Sequence, residues 1–327
     1  MKANSQPLVS IVTPFYNTAR YLAECIDSVL AQNYDNWEYI LANNCSTDGS
    51  REIAAAYAER DPRIRLVDND RFLGQVQNYN QALRQISPTS VYCKIVQADD
   101  WIFPDCLKAM VALAVEHPRV GIVGSYYLNG TQVLGSGLPY PSTMVPGAEI
   151  CRWHLRYYPE RYLFGTPTSL LFRSDLVRAR QPFYDEESLL EDYEVCYELL
   201  QESDFGFVHQ VLTFLRVEED SLTGQISDFY PYLLHAFICL KKYGRLYLPE
   251  DEYETRLRNI SKRYFAALAR GYLEGAGKEF RTYHRRGLQS IDYRLSPLTL
   301  AKHLACELLD LFRHPKAAAR LLARYLA

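Results

Sequence analysis

The feature that most constrains this chain is the alternation, over residues 8–127, of short β-rich runs with stretches of helical period. LVSIVTP at 8–14 reads as a buried strand, and TARYLAECIDSVLAQ after it places Tyr21, Leu22, Cys25, Ile26, Val29 and Leu30 on one helical face. WEYILA at 37–42 is a second strand, and the polar turn NNCSTDGS leads from it into the helix REIAAAYAER. IRLVDND, the helix QVQNYNQALRQI and the strand VYCKIVQ at 91–97 repeat the pattern. Pro104 then opens the helix PDCLKAMVALAVEH, at a position where its missing N–H costs nothing. RVGIVGSYY returns to the sheet, and Asn129-Gly130 signals a hairpin. Strand and helix in such alternation predict βαβ units and an α/β fold with a mostly parallel sheet, because parallel neighbours need a crossover.

From about residue 138 the alternation ends. GLPYPSTMVPG is rich in proline and glycine and is expected to be a loop over a site. SLLFR at 169–173 and FGFVHQVLTFLRV at 205–217 read as further strands, with the helix SLLEDYEVCYELLQ between them, and beyond 227 the pattern is helical throughout. Two domains are expected, 1–226 and 227–327, a division that suits a chain of 327 residues. Charge divides near the same place: residues 1–229 carry 18 basic against 30 acidic side chains, and residues 230–327 carry 18 against 9.

With 48% hydrophobic and 23% charged residues the chain is neither disordered nor fibrous. Its eight cysteines form no CxxC pair and no Cys/His cluster at zinc spacing, so neither structural zinc nor a disulfide framework is expected. No apolar run approaches the ~18 residues of a spanning helix, and MKANSQPLVS is not a signal peptide, so a cytoplasmic location is expected.

Four motifs carry candidate chemistry. QADDW at 97–101 puts Asp99 and Asp100 where a buried strand gives out, the end at which open α/β sheets bind ligands. Adjacent carboxylates repel unless a cation or hydrogen-bond donors neutralise them, and Mg²⁺ or Mn²⁺ would take such oxygen ligands together with a substrate phosphate. The plainer alternative is that one of them caps the following helix. NNCSTDGS at 43–50 offers the amides of Asn43 and Asn44 to a base or sugar edge, or serves only as a turn in which Ser46 and Asp48 cap the helix behind. TPFYN at 13–17 ends the first strand with Tyr16, which can stack on a base, and Asn17, which can cap. LLEDYEVCYELL at 189–200 starts a helix with Glu191 and Asp192; these either complement the helix dipole or supply a general base.

The order and spacing of VSIVTPFYN, NNCSTDGS, ADDW-x-x-P-D and the ED pair near 190 resemble the family 2 glycosyltransferases of the GT-A fold, over roughly residues 7–225. The resemblance implies a nucleotide-diphospho-sugar transferase with a Rossmann-like mixed sheet and a helical C-terminal extension. It also implies a nucleotide-diphosphate sugar donor, a divalent cation, Mn²⁺ or Mg²⁺, and inversion at the anomeric carbon. Residue by residue, it implies that Pro14 and Tyr16 border the base and that Asn43 and Asn44 stand where aspartates usually read it. Asp99 and Asp100 match the metal-binding motif, one ligating the cation and the other near the ribose. Asp192 matches the catalytic base, and Arg216, in LTFLRVEEDSLT, a position near the diphosphate or the acceptor. Gln77 stands where an arginine is usual, Gln97 where the motif begins with an acid, and Glu218 where a histidine is usual, so a uridine donor does not follow. The absence of Q-x-x-R-W favours transfer of a single sugar to a glycan or lipid-linked acceptor in bacterial surface polysaccharide synthesis.

The departures keep a catalytically silent nucleotide-sugar-binding or scaffold protein in view, and paired aspartates on an α/β sheet also occur in nucleotidyltransferases, although TPFYNTAR is a poor phosphate-binding segment. The basic end LFRHPKAAARLLARYLA fits an amphipathic segment on the inner face of a membrane, or a helical appendage packed on the domain or on a second copy of the chain. Nucleic acid is disfavoured by the net charge of -3.

Overall fold

A computed structural model describes residues 6–216 and 229–313. Glu218, the proposed boundary at 226/227 and the basic stretch from residue 314 onward lie outside the described residues. The described chain forms two compact units. The first holds the residues up to His154, Glu160–Glu186 and those from Glu191 to the end of the last strand; the second holds Leu155–Pro159, Glu187–Leu190 and the residues from 229 onward.

The first unit opens with β1 (Val9–Phe15), α1 (Leu22–Leu30), β2 (Trp37–Asn43), α2 (Ser50–Arg60), β3 (Ile64–Asp68), α3 (Gln75–Leu83) and β4 (Tyr92–Ile95). Every residue of β1 is buried, and α1 lays Leu22, Cys25, Ile26 and Val29 on the sheet, the face its periodicity predicts. The apolar contribution of such a face, ~1.5–3 kcal/mol per buried large side chain, is what holds a nine-residue helix too short to persist alone. β1 pairs in parallel with β2 on one side and β4 on the other, and β2 with β3. Parallel pairing brings the turns that follow β1, β2 and β4 to one edge of the sheet.

After β5 (Trp101–Ile102) and α4 (Cys106–Glu116) come β6 (Val120–Asn129), β7 (Gln132–Leu134), β8 (Met144–Val145), α5 (Gly147–Tyr157), β9 (Leu170–Arg173), α6 (Ser174–Ala179), α7 (Glu191–Leu199) and β10 (Asp204–Leu215). The sheet order is β3-β2-β1-β4-β9-β6-β10-β5. As expected, the sheet is mixed and mostly parallel, with β1–β4, β6 and β10 running in one direction. β9 enters antiparallel between β4 and β6, and β5, β7 and β8 are antiparallel too. A buried apolar run such as SLLFR reads the same in either direction, so strand polarity is invisible in it. The segment 138–147 is not all loop either, since it contains β8.

In the second unit α8 (Pro231–Tyr247), α9 (Glu250–Leu273), α10 (Lys278–Gln289) and α11 (Pro297–Arg313) follow one another. Phe237 stacks on Tyr264 with ring centroids 5.4 Å apart, and Phe265 stacks on Tyr293 at 5.8 Å. The Arg256 guanidinium donates to the carbonyl oxygens of Leu155 and Tyr158, which ties that short segment to α9. Among the described residues no helix is long and apolar enough to cross a membrane.

Gly147 opens α5 against the end of α7, where a Cβ would stand 2.1 Å from the Ser203 carbonyl oxygen and 2.2 Å from that of Leu200. Backbone atoms cannot swing aside as a side-chain tip does. Gly147→Ala is therefore expected to destabilise the first unit by at least the ~1–3 kcal/mol of an overpacked core site, read as a lower urea midpoint with the fold retained; an unchanged midpoint would contradict this packing.

Candidate active site

The turns after β1 and β2 are sewn together. The Asn17 side chain accepts from the Thr47 N–H at 2.8 Å, the Ser46 hydroxyl accepts from the Asn17 N–H at 3.1 Å, and the Ser50 hydroxyl accepts from the Thr18 N–H at 2.8 Å. Asn17 and Cys45 both lie in the left-handed region, at φ of 50° and 59°, the former a conformation asparagine tolerates better than most residues. Asp48 accepts from the Ala19 and Ser50 N–H groups, so that although partial burial pushes its carboxyl up, these hydrogen bonds hold it below the usual range.

Asn43 and Asn44 are both buried, and their amides are turned to the protein itself. Asn43 donates to Asp68 at 2.8 Å and accepts from the Ser46 N–H at 3.0 Å. Asn44 accepts from the Leu73 N–H and donates to the Leu73 carbonyl, each at 2.9 Å, and accepts from Asn69 at 3.1 Å. This clamp presents the exposed ring of Phe72, which meets the exposed ring of Tyr16 edge-on at 4.8 Å. Pro14 is buried in β1 opposite Ala42. Phe72 was not singled out from sequence; the signal was a lone large aromatic in the polar run NDRFLG.

At the end of β4 the chain turns sharply at Gln97–Asp100. Asp100, only 4% exposed, accepts from the Thr168 hydroxyl at 2.6 Å and from the Arg216 N–H at 3.1 Å. Thr168 stands in the single 3-10 turn Pro167–Ser169 before β9, accepts from the Gln97 N–H at 3.1 Å, and receives on its carbonyl the ammonium of the fully buried Lys94. Lys94 also donates to the Leu170 carbonyl at 3.0 Å, and burial lowers its pKa. Burial, and next the charge of Asp99, push the Asp100 carboxyl up to about 7. Arg216 donates through Nε to the Asp99 carbonyl at 3.0 Å, pairs with Glu24 and lies over the Tyr21 ring at 4.3 Å.

The two aspartates offer a hard oxygen donor set, and no cluster of three or more His, Cys, Asp or Glu side chains exists among the described residues to complete a closed cage. Two carboxylates whose mutual repulsion raises a pKa, with further positions left to a diphosphate and water, suit Mg²⁺ or Mn²⁺.

A small pocket beside this turn is lined by Gln75, Val76, Tyr79, Gln97, Pro167, Tyr184, Glu191 and Asp192. The Tyr79 hydroxyl is hydrogen-bonded to the Gln97 side chain; burial raises its pKa, and the charges of Asp192, Asp99 and Asp100 raise it further. The three carboxylates, singled out in two separate motifs, thus all raise the pKa of one hydroxyl. Asp192 is pushed up to about 8 by burial and by Glu191, against a hydrogen bond from Tyr184. Gln77 faces elsewhere: its Oε1 accepts from the Gly74 N–H at the start of α3, and its Nε2 donates to Glu186 at 3.1 Å. Lys94, Thr168, Tyr79 and Tyr184 had no signal in the sequence, because each gains its meaning only from a partner remote in the chain.

Paired acids at the carboxyl edge of a mixed α/β sheet fit an enzyme of the glycosyltransferase class. Residues 10–180 match glycosyl transferase family 2, and the chain is a member of that family. EpsE of Bacillus subtilis (strain 168), named as a glycosyltransferase, is 30% identical over 258 residues, 76% of this chain and 87% of its own length. TuaG of the same strain, named as a glycosyltransferase of teichuronic acid biosynthesis, is 34% identical over 113 residues, 35% of this chain and 44% of its own length. TarS of S. aureus, solved with UDP-GlcNAc, superposes with a TM-score of 0.62 at 18% identity over 86% of this chain and 80% of that one. The mannosyltransferase PcManGT of Pyrobaculum calidifontis, solved with GDP-Man and Mn²⁺, gives 0.56 at 17% identity over 99% and 87%. The fold is that of these GT-A enzymes.

Truncating Asn44 strands the N–H and C=O of Leu73 and the Asn69 amide. Asn44→Ala is expected to cost about 1–3 kcal/mol in urea unfolding and to open 69–73 to limited proteolysis. Tyr16→Ala, at an exposed site, should stay within about 0.5 kcal/mol of wild type.

Proposed function

We propose that this glycosyltransferase moves one sugar from a nucleotide-diphosphate donor to a hydroxyl of a glycan or lipid-linked acceptor, with inversion, in bacterial surface polysaccharide synthesis. The observation that carries this reading is the convergence of Asp99, Asp100 and Asp192 on the surroundings of Tyr79. A donor sugar at this point would lie between a diphosphate-binding pair and a base. TuaG's name and the nucleotide sugars held by TarS and PcManGT support the same class of substrate.

In this reading Tyr16 and Phe72 form the apolar platform for the base, with Pro14 buried in β1. Asn43 and Asn44 act from behind, fixing the loop that carries Phe72. Gln77 contributes by holding the start of α3. Asp99 and Asp100 would hold Mn²⁺ or Mg²⁺, which when bound neutralises charge developing on the departing diphosphate. Thr168 and the Arg216 N–H orient Asp100, while the Arg216 guanidinium adds positive charge beside it.

Asp192 takes the proton of the acceptor hydroxyl as that oxygen forms its bond to the anomeric carbon and the bond to the diphosphate oxygen breaks. Tyr184 orients it through its hydrogen bond. Burial and Glu191 make Asp192 a stronger base than an ordinary carboxylate, at the cost of its being mostly protonated near neutrality.

A base must be unprotonated to act, so turnover is expected to rise about tenfold per pH unit below a midpoint of about 8 and to level off above it. Glu191→Gln removes the like charge and should move that midpoint down; a flat profile between pH 6 and 9 would exclude Asp192 as base. Asp192→Asn should lower turnover by ~10²–10⁴ while leaving donor affinity unchanged, and an equal loss of both would remove the role. The deciding experiment is release of nucleoside diphosphate from a panel of nucleotide sugars with Mn²⁺ or Mg²⁺. Turnover of one donor should be lost on chelation and in Asp100→Ala. Turnover that persists with chelator would overturn the metal role, and failure to bind any nucleotide sugar would overturn the reading as a whole.

A further inference from the structure

A separate cavity of about 200 Å³ lies between the end of α3 with the loop after it and the end of α6 with the segment up to Phe183; none of Asp99, Asp100 and Asp192 lines it. Its apolar walls come from Leu83, Ile86, Val177 and Phe183, all buried. Three guanidinium-bearing side chains, Arg84, Arg178 and Arg180, also line it, and no aspartate or glutamate does.

The charges of these arginines are unevenly answered. Arg180 pairs with Glu198 and donates to the Phe183 carbonyl at 2.6 Å. Arg178 donates to the backbone carbonyls of Ser87 and Ser90, at 3.2 and 3.0 Å, and Arg84 donates to the side-chain amide oxygen of Gln81 at 3.3 Å. Those partners are neutral, so two guanidinium charges converge on an apolar hollow with dipoles alone to offset them. The walls are also held in place. Asn80, 1% exposed, donates to the Tyr184 carbonyl at 2.9 Å and accepts from the Tyr184 N–H at 2.8 Å, which fixes α3 against the segment carrying Phe183.

We propose that this cavity is a binding site for a small phosphorylated metabolite, of about the size of a sugar monophosphate, separate from the nucleotide-sugar site. A phosphomonoester carries about -1.5 to -2 charges at neutral pH, which matches two uncompensated guanidiniums where a single carboxylate would not. Its oxygens suit the planar fork of arginine, and its carbon skeleton covers the apolar walls. The volume lies below the roughly 300–1,000 Å³ of drug-sized sites, too small to enclose a whole nucleotide sugar.

Isothermal titration calorimetry on the full chain tests this with glucose 6-phosphate, glycerol 3-phosphate, inorganic phosphate and uncharged glucose. The phosphorylated probes should bind one per chain, and glucose should not. Arg84→Glu, at an exposed helix end where folding is not at stake, should weaken the best probe by about tenfold or more. Arg178→Lys keeps the charge but loses the fork, and should weaken it by less. Asp99→Asn, in the other site, should leave it unchanged. Affinity untouched by Arg84→Glu, affinity lost in Asp99→Asn, or no phosphorylated probe binding with a Kd below about 10 mM would each overturn the proposal.

Discussion

The arrangement of the site depends on how one buried carboxylate is held. Asp100 closes the turn that follows a parallel strand and accepts hydrogen bonds from Thr168, 68 residues on, and from Arg216, 116 residues on. Those two donors fix where β9 begins and where β10 ends relative to β4. Lys94 completes the junction from inside the sheet: its buried ammonium is satisfied by the carbonyls of Thr168 and Leu170. Even so, burial and Asp99 leave Asp100 with a raised pKa, a balance that a cation held there would relieve.

A second constraint is the parallel register of β1, β2 and β4, which places three turns at one edge. The turns are not left to find one another. Asn17, Ser46 and Ser50 bond across them, and Asn44 carries the order outward to the loop bearing Phe72. A rigid polar base thus supports an exposed aromatic surface, a sound design for a ligand whose flat face needs a partner but whose binding must not depend on moving the backbone.

Much of this was legible in the chain. The strands from 9 to 95 follow the β-rich runs, because a strand covered on both faces must be apolar throughout. QADDW marked the strand end correctly, since two adjacent acids after VYCKIVQ have no place inside a sheet. The insertion of β9 was not legible, because polarity leaves no trace in a run of four residues, and β5 and β8, at two residues each, are too short for any period to appear. Asn43 and Asn44 show a subtler limit: their amides suit a base as well as a backbone, and what decides is which partner lies nearer after folding.

The sequence by itself determined the alternating α/β framework, the membership of the chain in a family of glycosyltransferases, and the chemical character of the acids at its strand ends. The framework and the acids follow from periodicity and local residue type, and the family from the resemblance that four motifs in order carry; none of these depends on distant contacts. Tertiary structure alone decided that Asp192 lies near Asp99 and Asp100 around Tyr79, that Gln77 turns toward Glu186, and that Arg84, Arg178 and Arg180 line one cavity. Each of those facts joins residues more than ninety positions apart in the chain, and proximity between distant residues is a property of packing that no local pattern encodes.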